Sequence, residues 1–189
     1  MRKLVESTLV SLDGVIASPE RWSLFDEESS RWTLQELDNY EAFLMGRVTY
    51  EYFQNTWGSA TGGPLSERIN AMPKHVASRT LSDATWNAAL LGPDLVGAIV
   101  QLKAQRGKDL IKWGTSRLDD TLVRARLIDE LQVWFMPAVV GAGQRLFEDV
   151  DTSSVEFALT HVRELANGSV IHTYTPNYSR EPRTEAVSV

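Results

Sequence analysis

Two short apolar runs in this chain each stop at a glycine where a helical pattern starts, and that repeated junction restricts the fold more than any other feature. The first is Leu44-Met45-Gly46-Arg47-Val48-Thr49-Tyr50-Glu51. The second is Asp109-Leu110-Ile111-Lys112-Trp113-Gly114-Thr115-Ser116, with Leu118, Leu122 and Val123 beyond it. The opening amides of a helix lack partners within it, and aligned peptide dipoles leave partial positive charge there. Such a junction is either an ordinary turn or a cradle for an anion such as phosphate. At the first, Gly46 lets a ligand come close to the backbone, Arg47 offers paired donors and Thr49 adds a hydroxyl. At the second, Ser116 supplies a hydroxyl at the expected helix cap.

The junctions sit inside an alternation of strands and helices. Residues 4–10 read as a first strand that runs into Ser11-Leu12-Asp13-Gly14. Leu34, Leu37 and Tyr40 recur at helical spacing, and 42–45 reads as a buried strand. A helix over 47–53, a Gly/Pro-bearing loop over 58–64 and strands at 75–78 and 88–91 follow. Pro93 and Asp94 start a helix with a Leu95, Ala98, Ile99, Leu102 stripe that Gly107 closes. After Asp129 the chain is strand-rich, at 131–136, 155–160 and 169–174, with Asn167-Gly168 as a hairpin turn. Crossover helices demand parallel pairing and the hairpin adds an antiparallel edge. The expected fold is α/β, a three-layer α/β/α arrangement around a mixed, mostly parallel sheet with a C-terminal antiparallel hairpin. One domain covers 1–176, and 177–189 reads as a polar tail.

Composition narrows the function. A net charge of −6 disfavours a nucleic-acid surface, although a local basic pocket for phosphate is compatible with it. Absence of cysteine removes disulfides, thiolate nucleophiles and cysteine zinc sites. His75, His161 and His172 are too scattered for a metal site, so none is expected. Arg2, Lys3 and Glu6 interrupt any export signal, and no apolar run approaches the roughly 20 residues that span a bilayer, so a cytoplasmic protein with no membrane partner is expected.

Several segments, in order, resemble one family: Ser11-Leu12-Asp13-Gly14-Val15-Ile16-Ala17, then Gly46 to Glu51, then Ser78-Arg79-Thr80-Leu81. Gly114-Thr115-Ser116 and the run from Pro137 to Phe147 extend the likeness, which covers Arg2 to Tyr174. Together they resemble the dihydrofolate-reductase-like superfamily, in the branch similar to the reductase domain of bacterial riboflavin biosynthesis. The resemblance implies NADPH lying across the carboxyl ends of the strands, a small heterocyclic substrate and a homodimer. Ile16 and Ala17 would flank the nicotinamide, while Gly46, Arg47, Val48 and Thr49 would hold phosphate oxygens. Ser78 and Arg79 match the position that receives the adenosine 2′-phosphate. Gly114, Thr115, Ser116 and Leu118 match the loop and helix start beneath the pyrophosphate. Trp113 stands where many relatives have another glycine, which implies a less close backbone approach.

If protonation accompanies hydride transfer, a bound water near Asp13 or Asp26 would supply the proton; the other role open to Asp13 is an Asx-type turn with Gly14. Trp22 and Phe25 could stack on a planar substrate. Two rival readings keep the same fold: a non-catalytic NADP-binding or regulatory protein, and a dimerisation scaffold.

Overall fold

Successive side chains of the first strand enter two different cores, and this alternation sets up the three layers. The computed structural model describes residues 1–153 and 155–178. In β1 (Leu4–Ser11), Leu4 packs with Ala42 and Leu44 of β2 (Tyr40–Gly46), Leu110 of β5 (Asp109–Trp113), and the helices α4 (Leu95–Ala104) and α5 (Leu118–Arg124). Val5 faces the other way. It joins Phe43, Met45 and Ile111 beneath α1 (Glu27–Leu37), α2 (Arg47–Trp57) and α3 (Pro64–Ala71). The central strands β1, β2 and β5 therefore bury both faces, as parallel strands covered by crossover helices do.

The remaining strands are β3 (Lys74–Ala77), β4 (Ala88–Leu91), β6 (Glu130–Met136), β7 (Glu156–Glu164) and β8 (Val170–Asn177). Their order across the sheet is β4-β3-β2-β5-β1-β6-β8-β7. Pairing is parallel from β4 through β6, and β8 and β7 close the edge as an antiparallel hairpin. The fold is the expected mixed, mostly parallel three-layer sheet. Gly168 makes the hairpin turn at φ +82°, with its N–H donating to the Leu165 carbonyl at 3.0 Å. No helix among the described residues is long and apolar enough to cross a membrane, and no cluster of acidic or histidine side chains there could hold a metal ion.

Several local expectations change. Tyr40 is not the end of a helical stripe: α1 stops at Leu37 and Tyr40 begins β2, because Asp38 and Asn39 turn back onto Gln35 and Glu36. Helix α3 was not anticipated, since it has only Leu65 and Ile69 as an apolar pair behind Pro64. Strand β3 starts one residue early, at Lys74. Its ammonium caps the end of α3 by donating to the Ile69 and Asn70 carbonyls at 2.6 and 3.0 Å, and it lies 4.0 Å over the Trp86 ring, so a charged residue is buried as part of a strand. Strand β7 runs on to Glu164. Of the polar tail, Asn177 is the last residue of β8, and the Tyr178 hydroxyl donates to the Ile128 carbonyl at 3.0 Å. The rest, 179–189, lies outside the described residues.

Candidate functional site

The carboxyl ends of β3, β2, β5 and β1 lie side by side, and each is followed by one of the segments singled out from sequence. Gly46 caps α2 at φ −76° and ψ 161° with no side chain bonded to the helix amides, so the first turn is open to an anion. Next to it runs the 114–116 loop. A methyl group placed on Gly46 would stand 3.8 Å from the Ser116 hydroxyl oxygen, so the two junctions converge. Gly114 sits at φ +74°, and a methyl group added there would meet nothing within 4 Å. The backbone is therefore exposed to open space where a ligand would approach.

The indole of Trp113 does not fill that space. It packs edge-on to Phe43 at 4.9 Å and against Phe53 at 5.7 Å, on the α2 side of the sheet. Arg47 is exposed and its guanidinium donates to both Glu51 oxygens, at 3.2 and 2.9 Å. An exposed pair of this kind holds weakly, so an incoming phosphate can recruit the arginine. Val48 is exposed as well, and Thr49 is partly buried.

The second helix start differs from expectation. The cap residue of α5 is Arg117 rather than Ser116, and the Asp119 carboxylate already accepts from the Ser116 amide. Ser116 Oγ accepts from Leu118, the first helical residue, at 3.3 Å. The Asp119 carboxylate thus holds the Ser116 end of the loop, the first α5 amide is met by Ser116 Oγ, and the Gly114 side of the loop is what faces open space.

After β3, the Ser78 hydroxyl accepts from the amides of Thr80 and Leu81 at 3.1 and 2.9 Å and so shapes the turn that carries Arg79. Arg79 is exposed and makes no ion pair among the described residues.

After β1, the 11–17 segment is zipped to the 137–147 loop. The Ile16 amide donates to the Gln144 carbonyl at 2.9 Å, and Gly143 passes so close that a methyl group there would lie 2.9 Å from Val15 and 3.1 Å from Ala17. Asp13 holds this junction. Its carboxylate accepts from Ser11 Oγ at 2.7 Å and from the Val140 and Gly141 amides at 3.0 and 2.7 Å. Those bonds, led by the one from Ser11, hold its carboxyl down at about 2. Asp26 is the cap of α1, taking the Ser29 amide and hydroxyl, both at 2.9 Å, and these bonds lower its carboxyl below the ordinary range. Both candidate acids are ionised staples at neutral pH and have no proton to donate.

Trp22 and Phe25 belong to an aromatic cluster that sequence reading did not assemble. Trp22 Nε1 donates to the Ala17 carbonyl at 2.7 Å, and Phe25 stacks on Trp134 at 6.3 Å. Trp32 meets the same indole edge-on at 4.7 Å. Gln132, Trp134 and Met136 alternate along β6 toward this side, which is the signal that could have found it.

Comparison with known proteins agrees with this architecture. A protein from Shewanella sp. PV-4, provisionally assigned to riboflavin biosynthesis, is similar with a TM-score of 0.71 at 19% identity, over 93% of this chain and 99% of that one. A dihydrofolate reductase from Enterococcus faecalis, solved in complex with NADP(H), gives a TM-score of 0.62 at 15% identity, over 93% and 96% of the two chains. An uncharacterized protein of Bacillus subtilis, YyaP, is 24% identical over 180 residues, which is 92% of this chain and 94% of that protein. A family model, the RibD C-terminal domain, matches residues 2–171. The dihydrofolate-reductase-like sheet, the strand-end loops and this nearly full-length match together mean that the chain belongs to the RibD C-terminal domain family.

Proposed function

We propose that the chain is an NADPH-dependent reductase of a small heterocycle, of the kind that serves riboflavin biosynthesis. The observation that carries this reading is the convergence of the Gly46 and Ser116 junctions beside an uncapped α2. Strand order supports it further. Arg79 follows β3, Gly46 ends β2, Gly114 follows β5, and Ile16 follows β1, so candidate partners for 2′-phosphate, pyrophosphate and nicotinamide stand in that sequence across adjacent strands. At about 4.8 Å per strand the row spans roughly 14 Å, a length that suits an extended dinucleotide. Gly46 to Thr49 and Gly114 to Ser116 would hold the pyrophosphate, and Ile16 and Ala17 would shape the nicotinamide end. NADPH, when bound, supplies the hydride. The chain's own residues orient the ring, exclude water and offer Trp22 and Phe25 to a planar acceptor. With Asp13 and Asp26 engaged, any proton comes from water. A homodimer belongs to the same reading, supported by Leu159 and Val162, which β7 exposes at the sheet edge.

One observation favours a cofactor-binding protein without turnover: neither candidate acid is free to donate. NADPH oxidation measured with a panel of pterins, flavin precursors and quinones separates the readings. Turnover with one acceptor supports the reductase; binding without turnover supports the rival. Unquenched tryptophan emission at saturating NADPH removes both. Cofactor choice has its own test. Arg79→Ala is expected to weaken NADPH by about 1–3 kcal/mol and to leave NADH nearly unchanged in parallel titrations. Equal losses for the two would take the 2′-phosphate away from Arg79.

A further inference from the structure

One buried cluster of ionisable side chains is left unused by this reading, and it lies directly under the 114–116 loop. Glu6 of β1 and Lys112 of β5 are opposite one another in the strand register, and Asp119 projects from α5. Their exposures are 0%, 1% and 0%. Each loop residue is tied to a different member of the cluster. The Gly114 carbonyl accepts from Lys112 Nζ, the Thr115 hydroxyl donates to Glu6 Oε1 at 3.0 Å, and the Ser116 amide donates to Asp119 Oδ2. Lys112 Nζ also donates to Asp119 Oδ2 at 2.9 Å and lies 3.8 Å from Glu6 Oε1.

Two carboxyls against one ammonium would leave an unbalanced buried charge, which a dry interior penalises heavily. The oxygens themselves point to the remedy. Among the described residues neither Glu6 Oε2 nor Asp119 Oδ1 has a hydrogen-bond donor. Both carboxyls crowd the same ammonium, with Lys112 Nζ 2.8 Å from Asp119 Oδ1 and 3.8 Å from Glu6 Oε1. We propose that one proton shared between Glu6 and Asp119 neutralises this cluster and locks the 114–116 loop, which makes Glu6 a positioning residue for the cofactor. Its use in cofactor binding rests on the reading above; the lock itself does not.

The surroundings allow the proton to stay. Facing Glu6 are Lys112 from β5, Asp119 from α5, Thr115 from the loop, and Tyr178 beyond β8, whose hydroxyl is bonded to Ile128. Asp129, ahead of β6, also acts on Tyr178 and is balanced by Lys103 of α4. Burial first, and the Asp119 charge second, raise the Glu6 carboxyl to about 8. Burial opposes the charge on Lys112, but Asp119 and Glu6 outweigh it and hold the lysine in its ionised form. Above pH 8 Glu6 loses the proton, the cluster becomes anionic, and the loop loosens.

The test follows Glu6 by carboxyl carbon NMR and the Gly114, Thr115 and Ser116 amides by proton–nitrogen NMR, from pH 6 to 10 without ligand, with NADPH affinity measured over the same range. Glu6 and the three amides are expected to titrate together near pH 8. Affinity should fall about tenfold from pH 7 to pH 9, a range in which the cofactor phosphates are already ionised. Glu6→Gln, whose amide can donate to Asp119, should bind NADPH as the wild type does at pH 7 and keep that affinity at pH 9, while Glu6→Ala loses it at both. The lock is overturned if Glu6 titrates in the ordinary carboxylate range, if the amides do not respond, or if Glu6→Gln shows the same alkaline loss. Should Glu6→Gln fail to fold, the wild-type Glu6 titration decides. Titrating amides with no NADPH binding at any pH would uphold the lock and remove only the cofactor reading; pH-independent NADPH affinity would overturn the positioning role and leave that reading intact.

Discussion

Lys112→Met should destabilise the fold by about 3–5 kcal/mol, read from urea unfolding at pH 7. Methionine matches the length of the buried stem, so little packing is lost. The loss comes from charge: Asp119 would lose its ammonium partner and keep the Ser116 amide and the proton shared with Glu6, and the Gly114 carbonyl would lose its donor. Breaking one side of a buried pair costs far more than replacing the whole cluster, because the remaining charge stays dry and unpaired. Lys112→Met with Asp119→Asn should recover part of the deficit. In the wild type the sign is fixed by the raised Glu6 carboxyl. Its contribution to stability is complete below about 4.5, is lost as pH rises toward about 8, and changes little beyond. A Lys112→Met loss below about 1 kcal/mol would mean that water already reaches the cluster.

Gly114→Val should abolish useful NADPH binding, weakening it by at least about 100-fold, or about 2.7 kcal/mol. The fold should lose only about 1–3 kcal/mol, the strain of holding a β-branched residue in left-handed backbone. At φ +74° valine is strained, yet a Cβ there meets no protein atom within 4 Å, so the new side chain intrudes on ligand space and not on the core. Gly62→Val is the control. It has φ +93° and equally open surroundings in the turn before α3, outside the segments assigned to the cofactor, and so carries the strain without the binding loss. Comparable affinity losses in both variants would assign the effect to general strain.

Much of this architecture could be read from local pattern. Apolar runs ending in glycine, helical stripes and Asn167-Gly168 each report on a few neighbouring residues, and they led to the correct sheet type and hairpin. What stayed hidden depends on contacts between distant parts of the chain. Asp13 looked like a turn residue or a catalytic acid, and its amide partners lie 127 and 128 residues away. Thr115 finds Glu6 across 109 positions. Glu6 and Lys112 place charges within buried strands, a conflict between pattern and placement that marks a buried polar network once the strands are known to be neighbours. The expected cap at Ser116 changes for a local reason: Asp119, with zero exposure, accepts from the Ser116 amide and holds the loop from beneath. Helix α3 escaped because two apolar residues are too few to state a period.

The central claim is that the Gly46 and Gly114–Ser116 junctions grip one dinucleotide. A crystal structure of the protein grown with saturating NADPH tests it most directly. The account predicts the pyrophosphate lodged between the first amides of α2 and the 114–116 loop, the 2′-phosphate against Arg79, and the nicotinamide beside Ile16 and Ala17. A dinucleotide bound elsewhere, or touching only one of the two junctions, would contradict it.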